Sequence, residues 1–184
     1  MGRSEEKRPK LTRRWYALSV YSRQERAAEA GLVERGFDVF FPTQPERRLW
    51  SDRIKTFDAP LFPGYLFLRA ALDPRVRVEM LKVRQVRDLV GRLPDDNRVA
   101  RYVPDHEIES LHKLVAAKRR LDPIEGLVEG AEVMVGQGPL KGARGVVLDA
   151  PDGRRRLVVQ VRLLGRGVRA LLHADDVLVD LLEV

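Results

Sequence analysis

Three histidines and one glycine-rich loop are the parts of this sequence whose residue types could support catalysis. His106 and His112 are six residues apart on a predicted helix, so they face different directions. His173 does not complete a metal-ligand cluster with them. The loop Gly136–Gly142 superficially resembles a phosphate cradle, but it lacks the P-loop spacing and Pro139 removes one N–H group. The sequence contains no cysteine and no Ser/His/Asp grouping, so we expect no enzyme, no metal and no cofactor.

The composition is that of a folded protein with a basic surface. The 184 residues are 44% hydrophobic and 33% charged, which is enough for one medium domain or two small ones with a buried core. The net charge of +7 favours contact with a polyanion, with an ordinary arginine-rich surface as the alternative. The absence of cysteine fits a reducing compartment. Since no apolar run approaches the ~20 residues that cross a bilayer, we expect a cytoplasmic protein without membrane contact.

The stretch Leu61–Arg69 predicts the central strand of the fold, because aromatic and branched apolar residues crowd into it. Alternation along a strand predicts two faces. One face holds Phe62, Gly64, Leu66 and Leu68, and the other holds Pro63, Tyr65, Phe67 and Arg69. Both faces are largely apolar. One of them can be core, and the second must be covered by a helix or must bind a partner.

The residues before this strand predict a tail, two strands and a helix between them. Residues 1–13 form a predicted disordered basic tail. A first strand is predicted over 14–20, and Ser22 with Glu25 predicts a capping box that opens a helix. Gly36 suits the end of that helix, and a second strand follows at 37–41.

Residues 43–60 predict a long hairpin or loop beside the sheet. Four basic residues surround Trp50: Arg47, Arg48, Arg53 and Lys55. An exposed tryptophan among basic residues indicates proximity to nucleic acid. The alternative is that Trp50 packs on the base of the hairpin itself.

After the central strand, Asp73 and Pro74 predict the start of a second helix, because aspartate caps and proline suits the first turn. A short strand is predicted over 86–90, a turn over 92–98 and another strand over 99–103. Asp105 is the predicted cap of a third helix.

The pattern changes to strands alone in the last third of the chain. Residues 118–127 predict a linker between two domains. Five short strands follow within about 55 residues, which predicts a small SH3-like β-barrel. This barrel carries eight basic and eight acidic side chains, so the whole net charge of +7 lies in residues 1–126.

Several motifs together resemble the NusG family. In the N-terminal domain they are Trp15-Tyr16, Phe62-Pro63-Gly64-Tyr65 and the segment Val86–Gly91. The segment Glu129–Val135, continuing through Gly138–Gly142 and Gly145, is similar to a KOW motif, and Leu164-Gly165-Arg166 resembles the later barrel turn. The resemblance covers residues 14–184 in the right order. The segment Trp50–Arg53 followed by Pro60–Gly64 is more similar to the specialised antiterminators of the RfaH, UpxY and LoaP type.

This resemblance implies an α+β fold with two domains. The first, over 14–117, would be an NGN-like α/β sandwich with an antiparallel sheet and flanking helices. The second, over 128–184, would be a KOW domain with an SH3-like barrel. The linker at 118–127 would join them.

The function implied by the resemblance is transcription elongation and antitermination by a monomer that binds RNA polymerase and suppresses pausing and termination. In the family an apolar surface docks on the clamp helices of the β′ subunit. The matching positions are Tyr16, Leu18, Phe62, Pro63, Tyr65 and Phe67. The alternative for each of them is core. For Tyr65 contact is favoured, because a phenol can stay half wet while its ring anchors an interface.

Further contacts follow from the same resemblance. The region Arg75–Glu79 corresponds to a contact with the β gate loop, although it departs from the His-Thr-Thr motif of RfaH. Contact with non-template DNA would use Arg23, Arg35 and Arg84. The KOW domain would bind ribosomal protein S10 or Rho through Leu163, Leu164 and Arg166, with barrel core as the alternative for the leucines.

Three competing interpretations remain. A KOW-type ribosome-associated or RNA-binding protein without polymerase clamp activity should have a basic barrel, whereas this barrel is neutral. A generic scaffold would not need the aromatic patch on the central strand. A nucleic-acid enzyme lacks its acid and metal clusters. The sequence leaves open whether the barrel masks the first domain or refolds to helices, although the alternation over 157–164 argues against refolding.

Overall fold

The computed structural model describes residues 12–50, 52–91 and 100–180. Nearly all of the predicted basic tail and the predicted turn at 92–98 lie outside these ranges. In chain order the elements are β1 (Arg14–Val20), α1 (Glu25–Glu34), β2 (Asp38–Phe40), β3 (Thr43–Leu49), β4 (Ile54–Pro60), β5 (Tyr65–Ala70), α2 (Pro74–Leu81), β6 (Val86–Leu89), α3 (Asp105–Ala116), β7 (Leu121–Glu125), β8 (Glu132–Val135), β9 (Arg144–Asp149), β10 (Arg155–Val161), the short 3-10 helix η1 (Arg162–Leu164), β11 (Arg166–Leu171) and β12 (Leu178–Asp180).

The N-terminal domain is built on a four-stranded antiparallel sheet in the order β2-β5-β1-β6. The predicted first and central strands are therefore neighbours, with Tyr16 opposite Leu68 and Ala17 opposite Phe67. One end of this sheet continues into an isolated bridge between Trp15 and Val103. The predicted strand at 99–103 is thus reduced to a bridge in its described part.

One predicted helix start is confirmed, at Asp73, and one is wrong, at Ser22. Asp73 caps α2 as predicted, because its Oδ1 accepts a hydrogen bond from the Val76 amide at 2.7 Å. The capping box at Ser22 is wrong, since α1 begins at Glu25 after Gln24. The Glu25 carboxylate instead accepts a hydrogen bond from the Gly64 amide at 2.9 Å, so it ties the helix to the start of β5.

The predicted faces of the central strand need one correction, at Phe62. The segment before Tyr65 is a turn, in which Gly64 has a φ of 81° that suits glycine. Alternation therefore starts at Tyr65 and does not extend back to Phe62. Phe62 lies with Phe67, with the two rings edge-to-face at 5.7 Å, and not with Leu66.

The two faces of the sheet belong to two separate cores. The helix-side core lies under α1 and α2 and contains Leu18, Leu32, Leu66, Leu68 and Met80. The interdomain core lies on the other face and joins residues of both domains: Trp15, Phe62, Phe67, Ile108 and Leu111 from the first, and Val135, Leu140, Leu157, Val159 and Val168 from the second. Helix α3 contacts β1 on one side and β9 and β10 on the other, so it lies between the sheets.

The C-terminal domain is a six-stranded sheet in the order β12-β8-β9-β10-β11-β7, which is consistent with a KOW domain. The segment predicted as a linker is in part a strand, because Leu121–Glu125 pairs with β11 along its whole length. Its apolar positions Leu121 and Ile124 supplied a signal for this strand that Pro123 obscured. The predicted division into domains otherwise stays a prediction. In the described residues, the helices are too short or too polar to span a membrane.

Candidate interaction surfaces and the contact between them

Tyr65 and Arg166, which the sequence assigns to two different partner surfaces, contact each other. The Arg166 guanidinium lies over the Tyr65 ring, 5.3 Å from its centroid. Its Nε also forms an ion pair with Glu125 at 3.2 Å, which orients the side chain. Tyr65 is half-buried against the interdomain core. The surface predicted for RNA polymerase and the surface predicted for the KOW partner therefore cover each other in this structure.

The other predicted polymerase residues divide among three environments. Phe62 and Phe67 are buried beside Tyr65 in the interdomain core, and Pro63 is exposed at the turn. Tyr16 and Leu18 point to the opposite face and belong to the helix-side core, which is the alternative that the sequence analysis gave for them. Burial raises the pKa of the Tyr16 hydroxyl, with the Arg14 charge opposing this effect.

Sequence reasoning missed two aromatic residues of the Tyr65 face. Trp15 and Phe40 lie edge-to-face at 6.5 Å, and Phe40 contacts Phe67 at 6.2 Å. Alternation along β1 was the signal that could have found Trp15, since Trp15 and Tyr16 must face opposite ways. His112 of α3 stacks on Phe40 with ring centroids 3.7 Å apart, so it is a packing residue. Burial lowers the pKa of His112, while Asp38 and Glu109 oppose this effect.

Polar contacts fix the two domains against each other around this core. Ser110 Oγ of α3 accepts a hydrogen bond from the Arg144 amide at 2.9 Å. Lys113 Nζ donates to the Gly142 carbonyl at 2.8 Å. The Gln44 side chain makes a reciprocal pair with Leu121, donating at 2.7 Å and accepting at 3.0 Å. Each contact joins a side chain of the first domain to backbone of the segment from β7 onward.

Leu163 and Leu164 pack into the same interface. Both are half-buried against the interdomain core. Gly91 allows the close approach of Leu163, because a Cβ at Gly91 would lie only 2.7 Å from Leu163 Cδ1. Gly91 also has a φ of 75°, which favours glycine. The predicted edge for a KOW partner is thus turned toward the N-terminal domain.

A buried carboxylate lies at this interface. Glu107 Oε2 accepts a hydrogen bond from the Arg162 amide at 3.3 Å, and the residue is only 5% exposed. Burial raises the pKa of Glu107 to about 7, against the opposing effect of Arg162 and with a further contribution from Glu132. The Arg162 side chain is itself paired with Glu132 at 2.8 Å.

This environment predicts a pH dependence of stability. The folded pKa of Glu107 is raised above its ordinary value. The stabilisation that this group gives the folded state is therefore fully present below about pH 4.5 and is lost as pH rises through about 7. The free energy of unfolding should therefore decrease over this range, with a slope of at most about 1.4 kcal/mol per pH unit. Urea titrations at a series of pH values measure it.

Glu107→Gln should remove this part of the slope, since an amide does not titrate. Asp105→Asn, which replaces an exposed carboxylate on the same helix, is the matched control and should leave the slope in place. An unchanged slope in Glu107→Gln would mean that another group titrates at the interface.

The predicted DNA-contacting arginines are exposed but differ in their surroundings. The turn that holds Arg23 lies beside the segment that holds Arg84, because the Tyr21 amide donates to the Gln85 carbonyl at 3.0 Å. Arg35, at the far end of α1, instead pairs with Glu79 at 3.7 Å. The sequence analysis missed Tyr21, which is 51% exposed, and Arg87, whose guanidinium lies 5.7 Å from the Tyr21 ring centroid.

The start of α2 forms a shallow depression on the same domain, lined by Pro74, Arg75, Val78 and Glu79. Val78 is 57% exposed there. Among the residues that the structure describes, no group of three or more acidic or histidine side chains could hold a metal ion.

A helix-flanked antiparallel sheet followed by a six-stranded sheet defines a protein of the α+β class, and comparison with known proteins gives its family. The family model described as NusG, transcription termination factor, matches residues 13–112, which is more than half of the chain. The chain therefore belongs to the NusG family of transcription termination and antitermination factors.

Relatives agree with this assignment along nearly the whole length. The transcription termination/antitermination protein NusG of Staphylococcus aureus (strain N315) is 23% identical over 174 residues, covering 90% of this chain and 94% of the relative. The protein of the same name from Staphylococcus carnosus (strain TM300) gives the same values. Among solved structures, "Domain interaction in Thermotoga maritima NusG" matches with a TM-score of 0.51 at 19% identity, over 92% of this chain and 98% of that chain. This likeness supports the fold.

Proposed function

We propose that this protein binds elongating RNA polymerase through the aromatic face of its N-terminal sheet. The observation that carries the proposal is the Tyr65 face itself, in which Tyr65 and Phe40 are half-buried against a core that contains Trp15, Phe62 and Phe67. Such a cluster is what an interface anchor requires, because aromatic residues contribute most of the binding energy at protein interfaces. The occupant would be the clamp helices of the β′ subunit.

Binding at this face requires the C-terminal domain to move. The Arg166 side chain occupies the outer side of the Tyr65 ring, and α3 with the C-terminal sheet covers the rest. A partner that binds only the open arrangement would shift the population toward it by its differential affinity. The same opening would free Leu163, Leu164 and Arg166 for ribosomal protein S10 or Rho.

The remaining contacts of the proposal lie elsewhere on the N-terminal domain. The depression at Pro74–Glu79 would meet the β gate loop. Arg23 and Arg84 would contact phosphates of the non-template strand, with Tyr21 and Arg87 beside them, whereas the ion pair of Arg35 with Glu79 makes it the weakest of the predicted set.

The mechanism would be stabilisation of one polymerase conformation and not catalysis. A protein that bridges two sides of the polymerase cleft favours the elongating state, so pausing and termination decrease. The segment Trp50–Arg53 with Pro60–Gly64 supports a specialised antiterminator in place of a housekeeping factor. A cytoplasmic monomer is the expected form.

The binding test compares two substitutions with opposite expected effects, using the full chain and an isolated β′ clamp-helix fragment. Tyr65→Ala should weaken binding by about 2 kcal/mol, or about 30-fold, because an anchor is lost. Arg166→Ala should tighten binding about 2- to 5-fold, because it removes a cation–π contact that holds the closed arrangement. Isothermal titration calorimetry measures both.

Arg169→Ala is the matched control for Arg166, since Arg169 lies on the same strand and pairs with Asp122 at 3.6 Å away from Tyr65. It should leave the affinity unchanged. Absence of binding by both the wild type and Arg166→Ala would refute the polymerase-clamp proposal.

A further inference from the structure

The β3–β4 hairpin is a separate two-stranded sheet whose outer half has no role in the surfaces described above. Its strands pair from Thr43 opposite Pro60 to Leu49 opposite Ile54. Seven residues at about 3.4 Å each give an arm of roughly 24 Å. Its base is fixed, because Gln44 bonds Leu121 and Arg26 of α1 pairs with Asp58 at 2.5 Å.

One face of this arm alternates cations with aromatic rings. Arg48 lies opposite Lys55, and the next pair on the same face is Glu46 opposite Phe57. The Arg48 guanidinium is 5.2 Å from the Phe57 ring centroid, and Lys55 Nζ is 4.8 Å from the Trp50 ring centroid. Trp50 is 55% exposed, so it does not pack on the base of the hairpin.

The cationic side chains of the hairpin lie in its outer half. Residues 46–55 contain four cationic side chains and the two carboxylates Glu46 and Asp52, for a net charge of +2. Glu46 lies 3.9 Å from Arg48 and Asp52 lies 3.7 Å from Arg53, and neither of these ion pairs involves Arg47 or Lys55. The carboxylate Asp58 lies at the base and is engaged by Arg26. The exposed outer half therefore attracts a polyanion and presents a ring on which a planar group can stack.

We propose that the outer half of the hairpin binds single-stranded nucleic acid. Trp50 stacks on a base through the ring face that Lys55 leaves open, and Arg48 and Lys55, on the same face, contact flanking phosphates. Base–aromatic stacking beside a cationic track is the general arrangement for binding single strands without sequence preference. An apolar protein groove fits this surface less well, because both rings carry a cation at their faces.

The test uses the full chain and labelled single strands of about 15 nucleotides, oligo(dT) and oligo(U), a length within the range of single-strand sites. Binding by the wild type should quench the fluorescence of Trp50, which is exposed while Trp15 is only 8% exposed. Trp50→Ala should weaken binding about 5- to 150-fold, and Trp50→Phe should retain most of it. Preference for one oligomer identifies the strand as RNA or DNA, and either result supports the proposal.

Matched variants separate stacking on Trp50 from nonspecific apolar adhesion to the hairpin tip. Leu49→Ala removes another large apolar side chain of the tip, which is 78% exposed, and should leave affinity unchanged. Arg48→Gln and Lys55→Gln should each lower the slope of log affinity against log salt by about 0.7, whereas Arg120→Gln, whose side chain is 90% exposed elsewhere, should not.

Three results would overturn the proposal. They are no binding by the wild type at low salt, equal losses in Leu49→Ala and Trp50→Ala, and tighter binding to a duplex of the same length than to either single strand.

Discussion

Replacing Phe67 with alanine should lower the free energy of unfolding by about 3–5 kcal/mol. Phe67 is fully buried at the centre of the interdomain core, with Phe40 and Phe62 against its ring. Removing the ring leaves a cavity between the N-terminal sheet and the elements that cover it, and this cavity adds to the lost transfer free energy. Urea unfolding followed by circular dichroism measures the change.

Tyr65→Ala is the matched comparison, because it lies two residues away on the same face and is only half-buried. It should remain folded with a much smaller loss, so its effect on partner binding can be interpreted. If Phe67→Ala lost no more than about 1 kcal/mol, Phe67 would be a surface residue in solution. The interdomain core would then not be closed as described.

The sequence predicted those elements whose signal is local. The helix start at Asp73 follows from one side chain and the next residue. Residues 43–60 were left open as a hairpin or a loop, and the structure shows the hairpin. The central strand was predicted because its residue types suit only a buried strand. Its two apolar faces correctly required two covering layers, which are the helix-side core and the interdomain core.

The errors arise where tertiary contacts override a local pattern. Ser22 and Glu25 have the spacing of a capping box, but Glu25 accepts a hydrogen bond from Gly64, which is distant in sequence. Phe62 was placed on the wrong face because alternation was extended through a turn. The strand at Leu121–Glu125 was missed because its partner, β11, lies about 45 residues away.

The candidate site was only half predictable for the same reason. Tyr65 and Arg166 were both selected from the sequence, yet their contact could not be, because it depends on how one domain packs on the other. Alternation along β1 separates Trp15 from Tyr16 and Leu18, but which of the two faces meets the C-terminal sheet depends on tertiary packing.

Breaking the buried ion pair between Arg119 and Asp176 should be as damaging as removing Phe67. Arg119 follows α3 and its side chain is 12% exposed, while that of Asp176 is fully buried. Asp176 also accepts a hydrogen bond from the His173 amide at 2.9 Å, and Arg119 donates to the Leu171 carbonyl at 3.1 Å. Asp176→Ala leaves a buried cation without its partner, so we expect a loss of about 3–5 kcal/mol of stability.

The pH dependence of this pair runs opposite to that of Glu107. Burial alone would raise the pKa of Asp176, but hydrogen bonds from Arg119 and the His173 amide outweigh it and hold the pKa below its ordinary value. The stabilisation is therefore present at neutral pH and is lost as pH falls through the folded pKa. Asp176→Ala should flatten the acid limb of the stability profile.

Asp58→Ala, which breaks the exposed pair with Arg26, is the control and should cost about 0–1 kcal/mol. Equal losses in the two variants would show that Asp176 is hydrated in solution and that its pair with Arg119 adds no more than a surface ion pair.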